Sequence, residues 1–301
     1  MRSLVPLLVA AFVLTGPVRI ALLRIRWSAL APRAAIMLWQ TVMLSAVASI
    51  AGAVVVVVSM PFGGTSRTID EFSSLLVERP VQVLTPEELF ALTAGLIVVT
   101  LLVTSVLART IGVMRARAHH RMLVDLLGEH RSEAPGAFVL EHESATAYCL
   151  PGFHPRIVLS SGALRTLGTD ELAAVLAHER AHLRAHHHLV LLPYEVLASL
   201  SSRSRVLATS RNEVRSLIEM AADDRALREC GRGALARALC RLTADATPTF
   251  ALGAEGYATF RRVERVLAAR TPRRLVLVGA AAASIAVLAL PFAAVLAVGG
   301  P

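Results

Sequence analysis

The sequence predicts a mainly α, polytopic membrane protein with about four transmembrane helices and one α+β domain carrying a small sheet. Three observations support that expectation. Of 301 residues, 55% are hydrophobic, and the mean hydropathy is +0.60; soluble domains usually hold about 45–50% apolar residues. The apolar residues are gathered into long runs without charge, the pattern of bilayer-crossing segments. Between the third and fourth runs lies a stretch, residues 109–274, that mixes helical periodicity with short strand-like runs and is long enough to bury its own core.

The spans are expected at about residues 3–23, 34–60, 89–108 and from 275 towards the C-terminus. The first contains Arg19, but its charge-free part, Ser3–Val18, precedes the Arg-rich stretch instead of following one. That order fits a retained helix better than a cleaved signal peptide. The chain therefore divides into a membrane anchor (1–108), a folded domain (109–274) and a fourth transmembrane helix with the C-terminus (275–301).

Charge sets the expected orientation. Arg19, Arg24, Arg26 and Arg33 lie between the first two spans, Arg109, Arg115, Arg117 and Arg121 follow the third, and Arg270, Arg273 and Arg274 precede the fourth. Asp70, Glu71, Glu78, Glu87 and Glu88 outnumber Arg67 and Arg79 between the second and third. The positive-inside rule puts the domain on the cytoplasmic side of the cell membrane. The same arginines account for the net charge of +9; the chain has no lysine and no nucleic-acid motif, so direct nucleic-acid binding is not expected. Cys149, Cys230 and Cys240 show no CxxC spacing and read as small buried thiols rather than a disulfide or thiolate site.

Within the domain, Arg115–Gly128 reads as a helix, and Ala137–Leu140, Ala145–Cys149 and Arg156–Ser160 as short strands. A strong helix follows, with Thr169 as N-cap and Asp170 and Glu171 in its first turn, running to about His186. His188–Leu200 is apolar but too short to span. Helices are also expected over Arg211–Glu229 and Gly233–Ala244, and Arg261–Ala269 leads towards the last span.

The strong helix contains His178-Glu179-Arg180-Ala181-His182, an HExxH pattern. Residues four apart share one helix face, so both imidazoles can reach one ion, and neutral imidazole suits zinc. Glu179 is placed to act as general base towards a water that zinc acidifies to a pKa of about 7. A hydrolytic zinc site needs a third protein ligand. Glu219 is the leading candidate, Glu213 competes, and a histidine among His186, His187 and His188 is a further alternative, although the HExxHxxGxxH pattern, with His188 in its last position, lacks its glycine because Ala185 stands there. Asp223, one turn beyond Glu219, is placed to hold a ligand histidine. Tyr148, Tyr194 and nearby Arg or His residues are open candidates for stabilising an oxyanion.

With these residues in place the chain resembles the BlaR/MecR-like antirepressor membrane metallopeptidases, without their C-terminal penicillin-sensor domain. The resemblance rests on Pro155-Arg156-Ile157-Val158-Leu159-Ser160, on Asp170-Glu171-Leu172 leading into the HExxH, and on Glu219-Met220-Ala221-Ala222-Asp223-Asp224. It implies a gluzincin-type, zincin-like protease domain with one zinc ion, Glu219 as third ligand, and a cytoplasmic protein substrate such as a transcriptional repressor. The chain is also similar to the HtpX/Ste24-like membrane proteases, which implies quality control or maturation instead. From another class, a membrane signalling protein could keep zinc for structure alone, yet such a site has no use for Glu179. The expected partners are a protein or peptide substrate and the lipid bilayer.

Overall fold

A computed structural model describes residues 4–59, 85–200, 203–245, 254–268 and 274–296. The described chain is mainly helical with one small sheet, as the sequence predicts, and forms two units. Of the expected loop from Pro61 to Glu88, residues 61–84 lie outside the described residues, as do Ser201 and Ser202, and Pro86–Glu88 belong to a helix.

One unit comprises residues 1–25, 37–107 and 275–301. Helix α1 (Leu4–Val13) passes through a π-helical turn, Leu14–Val18, into α2 (Arg19–Arg24). Pro17 sits in that turn; proline has no N–H to donate, and the ladder re-registers around it instead of breaking. Helices α3 (Pro32–Ser59) and α4 (Pro86–Leu127) follow, and α11 (Arg274–Leu296) closes the chain. Four helical segments, Leu4–Arg24, Pro32–Val58, Leu92–Leu127 and Arg274–Ala294, are long and apolar enough to cross a membrane. Leu7 packs on Ala53 and Val56, and the Ser45 hydroxyl donates to the Val287 carbonyl at 2.8 Å.

The α4 helix corrects the sequence reading. It runs unbroken for 42 residues, so the separate helix expected at Arg115–Gly128 is its continuation. Arg109 ends the apolar run but not the helix, because the Arg, Ala, Met and Leu residues that follow are good helix formers, and the helix continues to just short of Gly128.

The second unit, residues 26–36 and 108–274, is layered. Strands β1 (Phe138–Leu140), β2 (Ala147–Leu150) and β3 (Arg156–Ser160) form a sheet in the order β1-β3-β2. β1 runs parallel to β3, β2 antiparallel, and β2 is an edge. One sheet face packs through Leu150 and Val158 on Val124 of α4. The other packs through Val139, Ile157 and Leu159 on Leu172, Val175 and Leu176. Those last three lie on α6 (Thr169–Arg184), which follows the short α5 (Ser161–Thr166). The join between β3 and α5 requires a glycine, since a Cβ on Gly162 would fall 1.9 Å from the Glu143 carbonyl oxygen. Behind α6 stand α7 (His187–Leu200), α8 (Arg205–Ala226), α9 (Arg232–Asp245) and α10 (Ala254–Ala268). Ala174 and Ala177 of α6 share a second core with Leu235, Leu239 and Val266.

The start of α6 differs in one detail. Gly168, not Thr169, is the N-cap, and the Glu171 carboxylate reaches back to accept from the Gly168 N–H at 3.0 Å. The thiols differ too: Cys149 and Cys230 are only partly buried and Cys240 is exposed, because α9 turns Cys240 away from its apolar face.

Candidate metal centre

α6 places His178 and His182 one turn apart, and their Nε2 atoms stand 3.0 Å from each other. α8 crosses behind α6 and brings Glu219 opposite, with its carboxylate oxygens 3.4 Å from His178 Nε2 and 3.7 Å from His182 Nε2. One donor atom from each of the three residues lies within 4.8 Å of the others, an arrangement that could hold a metal ion. Two imidazoles and a carboxylate are the donor types a divalent transition metal takes, and side-chain lone pairs converging this closely fit a cation between them. Glu213, two turns earlier on α8, is outside this group, and so are His186, His187 and His188.

Asp223, fully buried, lies with Oδ1 3.0 Å from His178 Nδ1. That leaves Nε2 of His178 as the atom facing the cleft. Glu179 is buried beside the group and turned towards Cys149 of β2. Burial pushes the Glu179 carboxyl above its ordinary range, against the pull of His178 and Arg262. A carboxyl raised in this way holds its proton more readily than a free one. Burial also raises the Cys149 thiol, which keeps it protonated.

Arg262 of α10 is a member of the site that the sequence reading missed. Its Nε donates to Asp223 Oδ2 at 2.9 Å, a terminal nitrogen donates to Oδ1 at 2.7 Å, and the other stands 3.0 Å from Glu219 Oε2. Burial alone would raise Asp223, but this fork holds its carboxylate well below the usual range. Glu219 is likewise held down, against burial, by His178 and Arg262. Both carboxylates are therefore ionised and ready to face cations. The available signal was the apolar spacing of Val263 and Val266, which turns one face of α10 inward and carries Arg262 with it.

His187 is the second omission. Read from sequence as part of a polar helix end, it is buried, and its Nδ1 lies 3.1 Å from His182 Nδ1. The cause is His186, whose left-handed backbone (φ 51°) ends α6 and folds the next residue back beneath it. Burial holds His182 and His187 at about 4, so both imidazoles are neutral at physiological pH. Of the oxyanion candidates, the Tyr148 hydroxyl pairs with His120 Nε2 at 3.0 Å, and the Tyr194 hydroxyl is buried without a hydrogen-bond partner among the described residues.

Residues 114–224 match the model of peptidase family M48. The match indicates a metallopeptidase, and with the four apolar helices a membrane-associated one. The matched segment contains His178, Glu179, His182, Glu219 and Asp223, and it ends before Arg262. No solved structure matches the chain.

Proposed function

We propose that the protein is a multi-pass, membrane-anchored zinc endopeptidase whose M48 segment faces the cytoplasm and cuts a protein substrate. The observation that carries this reading is the convergence of His178, His182 and Glu219 within 4.8 Å, with the buried carboxyl of Glu179 beside them.

His178, His182 and Glu219 hold the zinc, and Asp223 and Arg262 fix the first histidine and the glutamate. Zinc in such a site supplies Lewis acidity to a water and a peptide carbonyl. Glu179 takes the proton from the attacking water and delivers it to the leaving amine, a role its raised carboxyl suits. The edge of β2, unpaired among the described residues and beside α6, gives an extended substrate backbone a strand to pair with. Glu179 also speaks for catalysis over a purely structural zinc, which has no use for a base.

The BlaR/MecR-like resemblance gives the substrate as a transcriptional repressor, and the HtpX/Ste24-like one as a membrane protein under quality control or maturation. The test compares protein N-termini across cells expressing the wild type or Glu179→Gln. Products made only by the wild type are expected, and their parent protein selects between the two substrate classes. Identical N-termini in the two strains, under several envelope stresses, would overturn the protease reading.

A further inference from the structure

Two cavities flank the cluster of His178, His182 and Glu219, and their linings differ in chemistry. One, of about 260 Å³, reaches Glu179 and has apolar walls from Val175, Leu235, Leu239 and Leu242. The other, of about 240 Å³, reaches His182, has apolar walls from Leu150, Leu191 and Ile218, and carries Arg117 and Arg215. Glu219 lines both, so they adjoin on either side of the same centre.

The edge strand relates them. Ala147 lines the first cavity and Cys149 the second. Residues two apart on a strand point to the same side, so both cavities open on the α6 side of β2, one strand repeat apart. An extended substrate paired to β2 obeys the same alternation. The side chains that enter the two cavities are therefore separated by one residue, and the scissile bond lies between them.

Charge selects the occupants. Among the described residues that line the first cavity, the only cationic side chain outside the histidine is Arg262, which is committed to Asp223 and Glu219. In the second, Arg117 shares its charge with Glu195 at 3.2 Å, whereas Arg215 is exposed and forms no ion pair among the described residues. An acidic side chain there lays its methylenes on Leu191 and Ile218 and its carboxylate at Arg215. A basic side chain meets two guanidinium groups instead.

We infer that this site, read as a protease site, selects extended segments with a large apolar side chain and an acidic side chain separated by one residue, and cuts between them. The proposal rests on the endopeptidase reading above.

The test uses the purified full-length protein in detergent with zinc and an unbiased peptide library, read by mass spectrometry. Cleavage sites are expected to carry Leu, Ile, Met or Phe and, one residue removed across the cut, Asp or Glu. Arg215→Glu is expected to lower kcat/KM for the acidic peptides at least about fivefold, the size of one exposed charge contact, and to raise it for the Arg-substituted counterparts. Thr243→Phe, which fills the first cavity, is expected to move the apolar preference towards Ala and Val. Cleavage that depends on Glu179 but shows no acidic preference, or an acidic preference that Arg215→Glu leaves in place, overturns the specificity and spares the protease. Cleavage that Glu179→Gln leaves intact, or no cleavage by the wild type, overturns the protease reading itself.

Discussion

His187 turns its Nδ1 onto the Nδ1 of His182 at 3.1 Å, with the two rings at 84° to each other. A histidine that offers Nε2 to a metal keeps its proton on Nδ1 and needs an acceptor there. A neutral His187 is that acceptor. Replacing such a partner typically weakens metal binding by about 10–100-fold. His187→Phe is expected to lower zinc affinity by that factor in competition with a chelator, and His187→Gln, which restores an acceptor, to recover part of it. Equal affinity in all three proteins would assign His187 to packing alone.

Arg262 neutralises a carboxylate with no solvent exposure. Removing one partner of such a buried pair leaves an uncompensated charge and costs about 3–5 kcal/mol. Arg262→Met should lose stability on that scale in denaturant titrations, with or without metal. Adding Asp223→Asn should return much of the loss, since the stranded charge goes with it. Additive losses would mean that the fork contributes little beyond packing.

Glu171 gives a pH signature remote from the metal ligands. Its carboxylate is held below the ordinary range by the Gly168 N–H first, and by Arg237 and Arg241, against burial. Because its folded value is depressed, its contribution is fully present above the unfolded carboxylate range, about 4.3. It is lost as the pH falls through the lower folded value. Glu171→Gln should be destabilised by about 1 kcal/mol at neutral pH, as for a lost helix cap, and the gap should close in acid. A gap that stays constant between neutral pH and pH 3 would rule out the charge.

His186 occupies a left-handed backbone position, which glycine adopts without penalty. His186→Gly should leave stability within about 1 kcal/mol of the wild type and zinc affinity unchanged. His186→Val should be clearly worse in thermal melts, because a β-branched residue resists positive φ. The reverse ranking would show that the His186 side chain, not its backbone, holds the turn.

The residues legible in the sequence were those fixed by one helical period. His178 and His182 follow from a spacing of four, and so do Glu219 and Asp223 on the next helix but one. The strands were legible to within two residues because apolar runs there are bounded by Gly and Pro. The continuity of α4 was not, because hydropathy marks where a helix leaves an apolar environment and is silent on whether it ends. Arg262 and His187 were out of reach for another reason. Each acts through a contact set by packing: Arg262 across 39 positions to Asp223, and His187 through a backbone inversion at His186 that a run of three histidines does not announce.

The same separation dictates an order of events during synthesis. Asp223 leaves the ribosome 39 positions ahead of Arg262, an interval of about 2–8 seconds at ordinary elongation rates. Throughout that interval the nascent chain holds every residue of the candidate metal group yet lacks the counter-charge that lets Asp223 be buried. Until α10 has emerged, the Asp223 carboxylate that lies against His178 is without the guanidinium that pairs with it in the folded protein. The charge balance of the candidate site is therefore complete only once the stretch leading to the last apolar helix has been made.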